Sequence, residues 1–269
     1  MILNRPGWRT RFSIRRGVYL LPSLFTLTNL MCGFYAIVQS FKGEYLTAAL
    51  SIVVAFVADG LDGRIARLTG TTSEFGVEFD SLADLVTFCV APALMIYSRW
   101  LIDIPKIGWV CAFVYVACGA IRLARFNAYD TTTQSIYFNG LPSPAAAGGL
   151  VSLIFLEEQI FPGETHAGMV APWVCILLAF LMVSSIHYPS FKNIKIENRM
   201  SARALISVVF FIFIFVSKFY VAFTALFLVY LMSGLFVQLS FLAGVRAGRH
   251  LHQEDGEVRD SHEPRHPNI

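Results

Sequence analysis

The sequence predicts an all-α polytopic membrane protein with about eight transmembrane helices, and three observations predict it. The 269 residues are 56% hydrophobic and 14% charged, with mean hydropathy +0.61, against roughly 45–50% apolar and about 25% charged in soluble domains. Apolar windows recur that are long enough to cross a hydrocarbon core of about 30 Å at 1.5 Å rise per residue. The basic residues are also sorted by side, as the positive-inside rule requires. The same figures exclude a soluble enzyme and a disordered chain, and 19 glycines without a period exclude a collagen-like rod. A net charge of +3 is too mild to point to nucleic acid.

In chain order, residues 1–19 form a basic segment on the cytoplasmic side. Trp8, Phe12 and Ile14 interleave there with Arg5, Arg9, Arg11, Arg15 and Arg16. That pattern suits an N-terminal amphipathic helix lying on an anionic leaflet, or a plain topology signal. The apolar run that follows is too long for a signal peptide and contains Asn29, so it is read as a retained span. The spans are expected at 20–40, 45–68, 75–97, 107–126, 143–161, 167–188, 202–218 and 219–242, the last two forming a tight hairpin. Residues 20–243 thus make one transmembrane domain, and 244–269, with His250 and His252, a disordered polar tail.

With the N-terminus inside, only Lys42, Arg99, Lys106 and Lys218 of the 21 Lys and Arg fall outside. Both termini are therefore expected in the cytoplasm, in a cell inner or plasma membrane, with Glu157, Glu158 and Glu164 on the outer side. Cys32, Cys89, Cys111, Cys118 and Cys175 lie in apolar runs without CxxC spacing and are read as small hydrophobes.

Carboxylates within spans are costly and mark function by default. Asp59 and Asp62 close the second span, three apart; Asp80 and Asp84 open the third, four apart. Each pair therefore projects from one helix face, and the short connection around 69–73 lets the two helices run antiparallel with the pairs facing each other. An oxygen-only donor set suits hard divalent cations, Mg²⁺ or Mn²⁺. Two such ions could clamp the attacking and leaving oxygens of a displacement at phosphorus. The alternative is that Asp59 and Asp62 pair with Arg64 and Arg67, which leaves Asp80 and Asp84 unexplained. Gly63 and Ala66 remove bulk beside the carboxylates, and Arg67 offers a guanidinium to phosphate oxygens. Arg122 and Arg125, three apart at the cytoplasmic end of the fourth span, suit two-point capture of a carboxylate, or else anchor the span.

Written out, Asp59-x-x-Asp62-Gly63-x-x-Ala66-Arg67, eight residues, Gly76-x-x-x-Asp80-x-x-x-Asp84 resembles the signature of the CDP-alcohol phosphotransferases at all eight fixed positions. The resemblance implies a six-helix membrane core, here with extra helices, usually as a homodimer. It implies an enzyme in which an alcohol attacks a CDP-linked donor and CMP leaves. Asp59, Asp62 and Asp80 would be metal ligands, and Asp84 both a ligand and the proton acceptor. Gly63 and Arg67 would contact the CDP portion, and Ser73 the donor phosphates. Three further segments resemble the serine-using branch of that family: Leu21 to Gly33, with Thr26 and Asn29 beside the CDP-lipid; Ala120 to Asn127; and Phe138 to Ala145. Arg122, Arg125 and Asn127 then face the acceptor.

The expected reaction is transfer of a phosphatidyl group from CDP-diacylglycerol to L-serine with two divalent cations, among membrane lipids, giving phosphatidylserine and CMP. Glycerol 3-phosphate, inositol phosphate or choline as acceptor, or an ether-lipid donor, remain alternatives within the family. A cation-coupled transporter is the alternative from another class, although the carboxylates gather at one boundary rather than at the midplane. No HxKxxxxD or GxGD element is present.

Overall fold

The computed structural model describes residues 15–69, 74–129, 137–160, 162, 167–189 and 217–234. Helix α1 (Arg15–Phe41) turns at Gly43, with φ 80°, into α2 (Tyr45–Thr69). The next rod is composite: α3 (Glu74–Asp84), a π-helical stretch Leu85–Val90, and α4 (Ala91–Arg99). A short 3₁₀ turn, Leu101–Asp103, leads to α5 (Gly108–Tyr129). Strand β1 (Tyr137–Asn139), α6 (Ser143–Phe155) with a π turn at Leu156–Ile160, α7 (Ala167–Val183), β2 (His187–Pro189) and α8 (Phe219–Gly234) complete the described chain.

Among the described residues, four stretches are long and apolar enough to span a membrane: Leu24–Phe41, Tyr45–Ile65, Phe75–Arg99 and Gly108–Ala128. They coincide with the first four expected spans. Ala167–Val183 and Phe219–Gly234 are shorter apolar helices. Most of the expected seventh span, the leader up to residue 14 and the tail at 244–269 lie outside the described residues. Helix α1 is already formed at Arg15, the first described residue. Beside the helices, β1 and β2 pair antiparallel with Tyr137 opposite Pro189 and Asn139 opposite His187. That ladder satisfies backbone groups in a connection between helices, which otherwise lack partners. It continues as Gly140 N–H donating to Ile186 O at 2.9 Å and Leu141 N–H to Leu181 O at 2.9 Å.

Lipid tails are as apolar as leucine, so spans associate through close packing at small residues rather than through a hydrophobic drive. Ala36, Ala48, Ala49 and Ala55 are fully buried where α1 and α2 meet the bundle. Leu24, Met31, Phe34, Val54, Val57, Phe113 and Trp173 are exposed, as lipid-facing positions should be. At Gly33 an added Cβ would run into Thr87, so glycine lets α1 lie against the π stretch. Aromatic rings close the core: Phe56 stacks on Phe88 with centroids 5.0 Å apart, and Phe223 of α8 packs edge-on to Phe155 at 5.3 Å.

The π stretch has an identifiable cause. Pro92 has no N–H to return to the Phe88 carbonyl, so the regular ladder must break there. The Ala91 N–H reaches back to Val86 O, one residue further than in an α-helix. Phe88 O instead accepts a hydrogen bond from the buried Tyr115 hydroxyl of α5 at 3.2 Å.

Candidate metal and active site

Helices α2 and α3 bring the four carboxylates together. One oxygen each from Asp59, Asp80 and Asp84 lies within 4.8 Å of the others. Asp62 is buried, and its carboxyl lies within hydrogen-bonding reach of Asp80. Two unit charges 4.8 Å apart repel by about 3.5 kcal/mol at an effective dielectric constant of 20. The trio contains three such pairs, a load comparable to the whole stability of a typical domain. A compensating positive charge, or protons, must therefore accompany the cluster.

Among the described residues no arginine pairs with Asp59 or Asp62. Arg64 is exposed, and no ion pair joins it to either carboxylate among the described residues. The cation whose field reaches Asp84 is Arg122. Asp80 Oδ1 and Asn29 Oδ1 are buried and without a hydrogen-bond partner among the described residues. Orphaned oxygens beside an all-carboxylate donor set fit a hard divalent cation.

Helix α1 orients the carboxylates from the other side. Thr26 and Asn29, both buried, lie one turn apart on one face. The Thr26 hydroxyl donates to Asp62 Oδ2. Asn29 Nδ2 donates to Asp84 Oδ1 at 3.0 Å, leaving Oδ2 for another partner. Asn29 is itself fixed, because its carbonyl accepts from the Thr87 hydroxyl at 3.1 Å across the contact that Gly33 opens. Thr26 and Asn29, expected beside the CDP-lipid, thus hold two of the carboxylates, Asp62 and Asp84, in place.

The residues expected at the acceptor separate into two places. Arg122, whose charge is felt at Asp84, donates from Nη1 to the Ser143 hydroxyl at 2.9 Å. Asn127 lies against α3 instead: its Nδ2 donates to Ser81 Oγ at 3.0 Å and approaches Glu78 Oε2 at 3.5 Å. Arg125 is half-buried near Arg122. Gly63 sits half-buried one residue past Asp62. The Arg67 side chain and Ser73 lie outside the described residues.

The sequence model of the CDP-alcohol phosphatidyltransferase family matches residues 19–186, which hold every carboxylate of the cluster. The chain belongs to that family. Among CDP-alcohol phosphatidyltransferases it is similar to a protein of Helicobacter pylori (strain J99), 40% identical over 189 residues that cover 70% of this chain and 80% of the relative. A Bacillus subtilis (strain 168) relative is 38% identical over 183 residues, 68% of this chain and 97% of its own length. A Methanocaldococcus jannaschii relative is 36% identical over 183 residues, 68% and 79% respectively. All three carry the name CDP-diacylglycerol–serine O-phosphatidyltransferase. Membership in the CDP-alcohol phosphatidyltransferase family, with four apolar helices of spanning length, makes this an integral membrane protein.

Sequence reasoning missed Ser143, Thr87 and Tyr115 around the site. Ser143 was visible only as part of a segment, because its partner Arg122 lies 21 positions away. Thr87 and Tyr115 carry no local pattern that announces their carbonyl partners. Tyr188 and Tyr230, beyond the part of the chain matched by the CDP-alcohol phosphatidyltransferase family, stack with centroids 5.6 Å apart, and Tyr230 senses the charge of Arg122.

Proposed function

We propose that this protein transfers the phosphatidyl group of CDP-diacylglycerol to L-serine, releasing CMP. One observation carries the reading: oxygen donors of three aspartates from two consecutive helices, α2 and α3, converge in a chain 36–40% identical to enzymes of that name. Two divalent cations, Mg²⁺ or Mn²⁺, held by Asp59, Asp62, Asp80 and Asp84, would neutralise the diphosphate and stabilise the departing CMP.

The chain's own groups do the rest. Asp84, steadied by Asn29 through Oδ1, takes the proton of the serine hydroxyl at Oδ2. The serine oxygen then bonds to the lipid-linked phosphorus as the bond from that phosphorus to the bridging oxygen of the diphosphate breaks, and CMP leaves with the bridging oxygen. Thr26 keeps Asp62 turned toward Asp80. Gly63 leaves room for the nucleotide; Arg67 and Ser73 contact its phosphates. Arg122, with Arg125 nearby, meets the acceptor's carboxylate, while Asn127 braces α5 against α3.

In this reading the site opens to the cytoplasm with both termini, the protein works as a homodimer, and residues 20–243 form the catalytic unit between a basic leader and a polar tail. Purified protein in detergent, given CDP-diacylglycerol and Mn²⁺ or Mg²⁺, is expected to release CMP with L-serine and not with glycerol 3-phosphate or inositol phosphate. Release only with another acceptor would overturn the serine assignment. Release that survives Asp84→Asn would overturn the role of Asp84.

A further inference from the structure

In the proposed reaction, on which this inference rests, Arg122 meets the acceptor's carboxylate. Two contacts tie α5 to the rod that carries α3, one on each side of Arg122. Gly119 lies so close to the π stretch that an added Cβ would run into the Cys89 sulfur. At the other contact Asn127 Nδ2 donates to Ser81 Oγ at 3.0 Å. Arg122 falls between these contacts on α5, and Asp84 falls between them on the facing rod, so the two side chains start from nearly the same level of the bundle. An arginine side chain is long and rotamer-rich. Its guanidinium therefore needs a second anchor if it is to meet a small ligand in one geometry.

That anchor stands at the start of α6. Serine is usual at a helix N-cap, yet Pro142 holds that position here and Ser143 is the first helical residue. Ser143 is fully buried, and its hydroxyl accepts from Arg122 Nη1 at 2.9 Å. Its backbone is fixed from before and after. Gly140, at φ 88°, passes close to the Met182 carbonyl, while Gly140 N–H donates to Ile186 O and Leu141 N–H to Leu181 O, both at 2.9 Å. Pro142 and Pro144 lock φ on either side of Ser143. The chemistry of the anchor matters as much as its place. A carboxylate there, as Glu157 is for Arg99, would neutralise the guanidinium and compete with an anionic ligand. A hydroxyl accepts one N–H and leaves the charge intact. With Nη1 committed, the edge formed by Nε and Nη2 is left for two-point contact with a carboxylate.

We propose that Ser143 is the positioning residue for recognition of the acceptor's carboxylate: its hydroxyl holds the Arg122 guanidinium by Nη1 so that the remaining edge meets the two carboxylate oxygens. Ser143 acts only through Arg122. Its weight falls on how tightly the acceptor binds and not on the transfer step. Ser143→Ala removes only the oxygen, and alanine is well suited to a helical position.

The test measures serine-dependent CMP release by the full-length enzyme in detergent with Mn²⁺. Ser143→Ala is expected to raise KM for L-serine about fivefold, the usual weight of ordering one long side chain, with kcat and KM for CDP-diacylglycerol each within about twofold of wild type. A loss of packing alone would instead lower kcat and move both KM values. In an Arg122→Ala background the same substitution should leave the serine KM unchanged, because nothing remains for the hydroxyl to hold. An unchanged serine KM in Ser143→Ala overturns the inference, as does an equal rise in KM for CDP-diacylglycerol or a further rise of the same size in the Arg122→Ala background. A serine KM that Arg122→Ala itself leaves unchanged overturns the assignment of Arg122, and this inference with it. A wild-type enzyme with no serine-dependent release overturns the proposed reaction.

Discussion

The two ends of the bundle solve the same electrostatic problem in opposite ways. At one end Arg99 pairs with Glu157 at 3.3 Å and lies over the Tyr45 ring at 4.9 Å, while the Tyr45 hydroxyl donates to Ser98 O at 3.0 Å. At the other end, about 20 Å along α2 at 1.5 Å per residue, four carboxylates gather, and Arg122 is the guanidinium whose field is felt at Asp84 among the described residues. At the first end a side chain of the protein, Arg99, meets Glu157 directly and has Glu158 within its field. Among the described residues the second holds no ion pair at Asp59, Asp62 or Asp80, and carboxylates left in that state are prepared for a cation from outside. Charge inside a membrane protein therefore separates into structure and function by its balance, not by its presence.

The largest expected effect breaks this comparison at the level of chemistry. Asp84→Asn should lower the rate of CMP release by roughly 10²–10⁴-fold, the usual weight of a positioned general base, whereas Glu157→Gln should leave the rate within about threefold of wild type. CMP release assays at saturating serine and Mn²⁺ decide it, and an Asp84→Asn enzyme at more than a tenth of wild-type rate would erase the distinction.

Stability sharpens the comparison, because the two ends should respond with opposite signs. With divalent cations removed by a chelator, Asp80→Asn should raise Tm by relieving repulsion, and Mn²⁺ at about 100 times its Kd should stabilise wild type by about 2.7 kcal/mol and this variant by less. Glu157→Gln should lower Tm, at a cost of about 1–3 kcal/mol for leaving Arg99 with a weaker partner, whether or not Mn²⁺ is present. Thermal unfolding in detergent measures both; a fall in Tm for metal-free Asp80→Asn would show that the cluster is not strained by its own charge.

Gly33→Val tests whether the contact that aims Asn29 matters. The added side chain meets Thr87, and overpacking of this kind costs about 1–3 kcal/mol. Activity should fall further than for a bulky substitution at lipid-facing Met31. The smallest effect is expected for Tyr115→Phe, which leaves Phe88 O without its hydrogen bond and should cost about 1 kcal/mol with little change in rate.

Much of the site was legible because it is local. Asp59 and Asp62, and Asp80 and Asp84, are spaced to share a helix face, and a short connection is enough to bring the faces together. The first four spans were legible for the same reason, since length and hydropathy are properties of contiguous residues. Contacts set by distant partners were not legible. Nothing around Ser143 indicates Arg122, and nothing around Asn29 indicates that its carbonyl is held by Thr87. The ladder between β1 and β2 joins segments about fifty residues apart through three-residue strands, too short for an alternating pattern to register. The break at Pro92 could be read in the sequence as a missing N–H, but not that the chain would absorb it as a π turn rather than a kink.

That π turn sets the phase of the third membrane rod. Each residue advances a helix by about 100°, so one residue more or fewer between Leu85 and Val90 would turn everything before it by more than a quarter of a revolution relative to Ala91–Arg99. A chain shortened by one residue there would cross the bilayer as well as this one and would still spell the whole aspartate motif. Its Asp84 would nonetheless point away from Asn29 and Arg122. Carrying the motif and possessing the site are separable properties, and in this fold the join between them is a single helical turn with no carboxylate in it.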